Sequence, residues 1–270
     1  MQIPGLDEYA KKYEHIKFHR EDGILQITLH SNDEDLVWGL APHQELGYCF
    51  GDIASDPENK VIIFTGSGDT FIHNEDLGGA GIDARAWSEH VLPDAKRLLM
   101  NLLEIQAPMI AAVNGPATVH AELALLCDIV LAADHATFQD APHFPSGLVP
   151  GDGVHVVWPM LLGLNRGRYF LLTGQILAAR EALDLGVVNE VMPQPELLTR
   201  AWELARIIRQ RPALTTRLAR EAMLHPMKRA MLDNLPYGLA LEGLAGCDFW
   251  PAEFAAEDIS RRQDADGRAA

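Results

Sequence analysis

Two alternating runs, Lys17–Arg20 and Ile24–Leu29, flank Glu21-Asp22-Gly23 and predict a β-hairpin closed by a tight turn. Continuous apolar runs follow at Val61–Thr65, Met109–Val113 and Ile129–Ala133, each ending at a turn former or a polar stretch. Unbroken apolar runs of this length suit strands buried on both faces. Between them the apolar spacing changes to helical, over Pro42–Ile53, Trp87–Ile105 and a short piece Glu122–Leu126. Further helical pieces are expected at Val154–Leu162, Arg166–Leu172 and Ala179–Leu183, and a last strand at Val187–Val191. Three helices are expected beyond that, Leu197–Gln210, Ala213–Leu224 and Met227–Cys247, with Pro212, Pro226 and Pro236 as punctuation. Strands alternating with helices predict a parallel sheet with crossover connections, so the fold class is α/β. In such sheets, sites form beyond the carboxyl ends of the strands. The segments after Thr65, Val113 and Ala133 are where chemistry is expected.

Composition narrows this picture. The chain has 270 residues, 48% hydrophobic and 22% charged, which suits one large core rather than disorder. The tail from Glu257 to Ala270 is polar and charged and is expected to be disordered. A net charge of −16 argues against nucleic acid or an anionic membrane as partner, but leaves room for an anionic small molecule in a local basic pocket. The stretch Met1–Asp7 carries no basic-then-apolar pattern, and no apolar run could span a bilayer. Cys49, Cys127 and Cys247 are scattered, as expected of buried thiols in a reducing cytoplasm.

Two stretches after the predicted strands carry candidate chemistry. His120 stands just before a short helix, where free backbone N–H groups favour developing negative charge. Pro142–Gly153 holds His143 and Asp152 among prolines and glycines, a composition that fixes a rigid loop. A histidine oriented by a carboxylate can take a proton from water near neutral pH. On spacing alone, both histidines read better as loop residues bonded to backbone than as catalytic groups. Trp38 reads as a core or rim residue, and His43 and Glu242 as helix-face residues. No HExxH or other closely spaced ligand set is present, and Gly66 and Gly68 do not form a phosphate loop, so neither a metal nor a cofactor is expected.

The residues Val61–Leu77, Ala111–Ala133, Phe138–Gly153, Leu172-Thr173-Gly174 and Leu185–Val191 resemble the crotonase (enoyl-CoA hydratase/isomerase) superfamily over roughly residues 13 to 250. The run Glu122–Val130 is especially characteristic. The resemblance implies a crotonase-like ββα spiral core over 1–195, a helical trimerisation region over 196–256 and the tail over 257–270. It also implies homotrimers or dimers of trimers, and an oxyanion hole of two backbone N–H groups, one near Glu75 and one from the loop after Asn114-Gly115. Glu122 matches the first acidic residue of the hydratases. The second is replaced by His143, and the usual glycine-rich segment reads Thr118-Val119-His120-Ala121.

These departures, with Leu36-Val37-Trp38, Tyr48-Cys49-Phe50, Val156–Pro159 and Asn165–Gln175, resemble the branch of 6-oxocamphor hydrolase and related β-diketone hydrolases. The functional residues of that branch fall on Trp38, His43, His120, His143, Asp152 and Glu242. What the resemblance implies is cleavage of a carbon–carbon bond in a cyclic diketone by hydrolysis, giving a chiral keto acid. His143 would be the base, Asp152 its orienting partner, Trp38 and His120 donors to the carbonyl oxygens, and Glu242 a support. Phe71–Gly79, Gly39–Pro42 and Tyr237–Gly246 differ from that branch and are expected to border the pocket. The alternatives are an acyl-CoA hydratase, isomerase or hydrolase using Glu122, and a non-catalytic binding or scaffold protein.

Overall fold

The computed structural model describes residues 5–76 and 81–249. The expected tail, the end of the helical region at 256 and the segment 77–79 lie outside the described residues. After α1 (Leu6–Tyr9), the hairpin forms as β1 (Ile16–Glu21) and β2 (Ile24–Leu29). Asp22 and Gly23 both take positive φ, 48° and 77°, the geometry a two-residue turn of matching twist requires. β3 (Val37–Trp38) and α2 (Leu40–Ser55) lead to β4 (Val61–Gly66) and β5 (Asn74–Glu75). Next come α3 (Ala84–Ala86), a π-turn over Trp87–Val91 and α4 (Leu92–Glu104). β6 (Met109–Val113), α5 (Glu122–Leu125), β7 (Ile129–Ala133) and β8 (Thr137–Phe138) follow. The chain continues through α6 (Val154–Leu162), α7 (Leu164–Thr173), β9 (Leu177–Ala178), α8 (Ala179–Asp184) and β10 (Glu190–Met192). It ends in α9 (Gln194–Arg209) and α10 (Ala213–Phe249).

The main sheet is six-stranded, in the order β1-β2-β4-β6-β7-β10, and is parallel except for the hairpin. Every residue of β6 and Val61–Thr65 of β4 are buried, as strands covered on both faces must be. Small ladders β3–β5 and β8–β9 stand outside the sheet and carry the loops of the site. Asn114, just beyond β6, binds the loop beyond β4: its carbonyl accepts from Gly66 N–H, and its amide donates to the carbonyls of Ser67, Gly68 and Thr70. The neighbouring Gly115 packs so closely on the Asp69 carbonyl that a Cβ would stand 1.7 Å from it. No helix among the described residues is long and apolar enough to cross a membrane.

Three expectations need correction. The last strand begins at Glu190, because the N–H groups of Val187 and Val188 both turn back to the Ala182 carbonyl and close α8. The helix expected from Trp87 opens instead with the π-turn, which lets the Trp87 indole reach across to donate to the Leu239 carbonyl at 2.9 Å. The break expected at Pro226 does not occur: α10 runs 37 residues through both Pro226 and Pro236. A proline within a helix costs on the order of 3 kcal/mol. Here Leu224, Met231, Leu235 and Leu239 are buried against the core, and tertiary packing of that stripe overrides the local preference.

Candidate active site

The loop after β8 places the central histidine. Its backbone is tied to the loop after β6 through Gln139 N–H to the Ala117 carbonyl and Ala141 N–H to the Thr118 carbonyl. The His143 carbonyl accepts from both Ser146 and Leu148 N–H at 2.9 Å, with Gly147 between them at φ 85°. His143 is thus held by its own main chain before its ring is considered. The ring then lies between carboxylates. Nδ1 is 2.6 Å from Asp140 Oδ1, while Nε2 faces Asp152 Oδ1 at 3.4 Å and Glu242 Oε1 at 3.6 Å. The orienting partner is therefore Asp140 and not Asp152, since only the contact to Asp140 has hydrogen-bond length. Asp152 instead lies in front of Nε2. Asp140 was legible in principle, as an acid three residues before a histidine in a proline-containing loop.

His120 forms the second half of the site. Its φ of 46° puts a non-glycine residue in the left-handed region, which costs roughly 1–3 kcal/mol and persists only where the surroundings enforce it. The enforcement is visible: Leu123 N–H donates to its carbonyl, and Nδ1 lies 2.7 Å from Glu122 Oε1 and 3.3 Å from Asp152 Oδ2. Glu122 is wholly buried and engages His120, so it is not a free acid. Asp152 bridges the two histidines, one oxygen towards each ring.

Trp38 and His43 form the opposite wall. Trp38 is buried, with its ring centroid 4.4 Å from His120 and 5.6 Å from His43. His43 sits in the first turn of α2 and lies 5.7 Å, ring to ring, from His120. Glu75 pairs in register with Trp38 in the β3–β5 ladder, and its side chain is exposed. Asp76 N–H donates to the Trp38 carbonyl, so the parallel alternation turns the Glu75 N–H away from β3. On the other expected oxyanion loop, the N–H groups of Ala117, Thr118 and Val119 are all bonded to backbone carbonyls. A second donor from that loop has to come from His120 onward.

The electrostatics divide the histidines. Burial opposes a charged ring at His143, but Asp152 and Asp140 outweigh it and hold its pKa well above the usual value. At His120 burial is again opposed, by Glu122 and then Asp152, and the pKa rises to about 9. His43 has no such partner: burial, helped by the charge on His120, lowers it to about 4. Burial alone would raise Asp152, yet His143 and His120 keep it below the ordinary carboxylate range. Burial raises Glu242 to about 7 against the pull of His143, and raises Glu122 against the pull of His120. The site therefore holds a neutral histidine, two proton-rich histidines, an ionised aspartate and a glutamate that titrates near neutrality. All eight residues expected from the sequence lie in or beside this cluster.

Comparisons with known proteins agree with this architecture. A family model for enoyl-CoA hydratase/isomerase matches residues 19–241. Carnitinyl-CoA dehydratase of Salmonella arizonae is 34% identical over 215 residues, 77% of this chain and 79% of its own length. A β-diketone hydrolase from Anabaena sp. PCC 7120, solved with (S)-3-oxocyclohexyl acetic acid bound, is 45% identical, with a TM-score of 0.86 over 89% of this chain and 97% of that one. An enoyl-CoA hydratase/isomerase from Mycobacterium paratuberculosis is 28% identical, with a TM-score of 0.81 over 87% and 96%. The six-stranded sheet, the loops at its carboxyl edge and these matches together show that the chain belongs to the crotonase (enoyl-CoA hydratase/isomerase) family, whose members are enzymes.

Proposed function

We propose that the protein hydrolyses a carbon–carbon bond of a cyclic or bicyclic β-diketone. The observation that carries this reading is His143: its Nδ1 is fixed on Asp140, and its Nε2 points into a cluster of carboxylates where a hydratase would place a second acid. The 45% identity to a β-diketone hydrolase supports the same reading.

The chemistry follows from the proton distribution. His143 holds its proton tightly, so a base requires somewhere for that proton to go. Glu242, titrating near neutrality 3.6 Å away, is suited to take it and leave a free Nε2. A water beside Nε2 adds through oxygen to one carbonyl carbon while its proton passes to His143. The tetrahedral intermediate collapses, and the electron pair of the bond to the central carbon leaves as the enolate of the second carbonyl. The imidazolium of His120, with Nδ1 engaged by Glu122 and Asp152, stabilises the oxyanion through its other nitrogen. Protonation at the central carbon completes a keto acid. Asp152, ionised and touching both histidines, is suited to relay that proton rather than to supply it. Neutral His43 and Trp38 form a wall that adds no charge. Exposed Leu214, Leu218, Met223, Leu232 and Leu244 on α10 suit the self-association that the family resemblance implies.

The test is turnover of a symmetric bicyclic 1,3-diketone by the purified protein, with crotonyl-CoA in parallel. Keto acid formation that disappears in His143→Ala supports the reading. Turnover of crotonyl-CoA alone would reject it and favour a hydratase or dehydratase working through Glu122, the activity class named for the 34%-identical relative.

A further inference from the structure

Among the described residues, histidine and carboxylate atoms converge in two groups, His120–Glu122–Asp152 and His143–Asp152–Glu242, each within 4.8 Å. The two groups differ in a way that decides what can occupy them. In the first, His120 Nδ1 and Glu122 Oε1 are 2.7 Å apart, a hydrogen-bond length with a proton between them. In the second, Nε2 of His143 stands 3.4 Å from Asp152 Oδ1 and 3.6 Å from Glu242 Oε1. Those separations are long for hydrogen bonds. They match the roughly 3.3–3.6 Å edges of a tetrahedron whose ligands lie 2.0–2.2 Å from a zinc ion.

Two further observations point the same way. Asp152 Oδ1, which faces Nε2, and Glu242 Oε2, the partner oxygen of the one that faces Nε2, are buried without a hydrogen-bond partner, on side chains only 7% and 9% exposed. Buried carboxylate oxygens without a donor are costly and call for a proton or a cation. The other nitrogen of His143 is bound to Asp140, and a carboxylate on the far nitrogen fixes the tautomer and raises the basicity of a ligating imidazole.

We propose that His143, Asp152 and Glu242 form a three-ligand binding site for a divalent transition metal of the zinc class, with water completing the tetrahedron. One imidazole nitrogen and two carboxylate oxygens suit a borderline ion of this kind better than magnesium or calcium, which prefer all-oxygen shells. The ligands come from two elements far apart in sequence, the loop after β8 and α10, which is why no short ligand motif announces them. The site overlaps the proposed base. Resting on the hydrolase reading, its consequence is inhibition: the metal takes the Nε2 lone pair that would otherwise deprotonate water.

The test separates binding from catalysis. Chelator-treated full-length protein is titrated with zinc by calorimetry, and with cobalt(II) as a spectroscopic probe of coordination geometry. Expected are one zinc per chain, tetrahedral-type cobalt absorption, and an affinity at least tenfold lower in Glu242→Gln and in His143→Ala. His135→Ala, at an exposed histidine beside Asp134, should bind like the wild type. Circular dichroism confirms that each variant is folded, and Glu242→Gln keeps the answer readable if His143→Ala is not. Equal affinity in Glu242→Gln and wild type, or loss of the site in His135→Ala, overturns the proposal. Diketone turnover is then followed with saturating zinc. Loss of turnover that a chelator reverses supports inhibition, and unchanged or raised turnover overturns that part. Zinc binding to a protein that never turns over a diketone leaves the metal site standing and rejects the hydrolase reading alone.

Discussion

The two sides of the site are built by different means. His143 and Asp140 lie three residues apart in one loop, and short-range backbone bonds fix that loop to the neighbouring strand end. Glu242 arrives from the other end of the chain on α10, and its position depends on how that helix docks. Three contacts lie nearest to it. The Trp87 indole donates to the Leu239 carbonyl, Gly243 lies against the same indole, and Gly151 and Gly238 meet backbone to backbone. The loop side is fixed locally, and the helix side is fixed by register across a long sequence separation. Substitutions on the loop side should therefore act first on the chemistry. Those on the helix side should move rate and stability together.

The largest effect is expected at the centre of the loop side. His143→Ala should lower kcat for diketone hydrolysis by roughly 10²- to 10⁴-fold, the range for a lost general base, in protein that circular dichroism shows to be folded. A rate loss below tenfold in a folded variant would remove His143 from the mechanism.

Asp140 tests the same side one step out. Asp140→Asn removes a charge that helps hold the His143 proton, so the histidine should titrate at lower pH. Activity that depends on free imidazole should then keep its alkaline plateau but extend further towards acid. The loss of orientation should cost about 10- to 100-fold in kcat, as for other partners of this kind. A rate loss with no displacement of the acid limb would mean that Asp140 only packs.

These two predictions mark how far the sequence could be read. The buried strands β4 and β6 and the hairpin were legible, because unbroken apolar runs and an Asp-Gly turn have few alternatives. His120, His143 and Asp152 were legible as types in loops after strands, and the resemblance supplied Trp38, His43 and Glu242. What was not legible is which carboxylate meets which nitrogen. Asp140 and Asp152 are both aspartates near His143 in sequence, and spacing alone does not say which one reaches Nδ1 and which faces Nε2. The continuity of α10 was hidden for a related reason. Pro226 and Pro236 are local signals, and the burial of Leu224, Met231, Leu235 and Leu239 that overrides them is a property of the folded chain.

Where the loop meets the helix, Gly151→Ala puts a Cβ 2.3 Å from the Gly238 carbonyl and 2.7 Å from Glu242 Cβ. The helix has to retreat, and overpacking of this kind costs typically 1–3 kcal/mol. For a protein of this size that corresponds to a fall in melting temperature of about 2–4 °C per kcal/mol, with kcat falling in the same variant. Trp87→Phe is milder. It keeps most of the packing and removes the hydrogen bond to Leu239, which contributes about 1 kcal/mol, so a roughly fivefold fall in kcat is the upper expectation. If Trp87 acts through Glu242, the fall should vanish when Trp87→Phe is made on Glu242→Gln. Additive losses in that cycle would show that the indole stabilises the helix without positioning the carboxyl.

The effect that most sharply distinguishes the two sides is the pH dependence of stability contributed by Glu242. Burial raises its pKa from 4.5 to about 7, so the folded protein favours the protonated acid. A group whose folded pKa is raised contributes its stability in full below the unfolded value, and loses it as pH rises through the folded value. Between about pH 4.5 and 7 the wild type should therefore lose stability that Glu242→Gln, which cannot ionise, does not lose. Melting temperatures of the two proteins, measured in steps from pH 5 to pH 8, should show their difference moving in favour of Glu242→Gln as pH rises. The loop side should behave oppositely at Asp152, whose folded pKa is depressed, so its contribution is present above the unfolded value and is lost only in strong acid. A Glu242→Gln curve parallel to the wild type across that window would mean that the carboxyl is ionised throughout. The proton that His143 must shed would then have to go elsewhere than to α10.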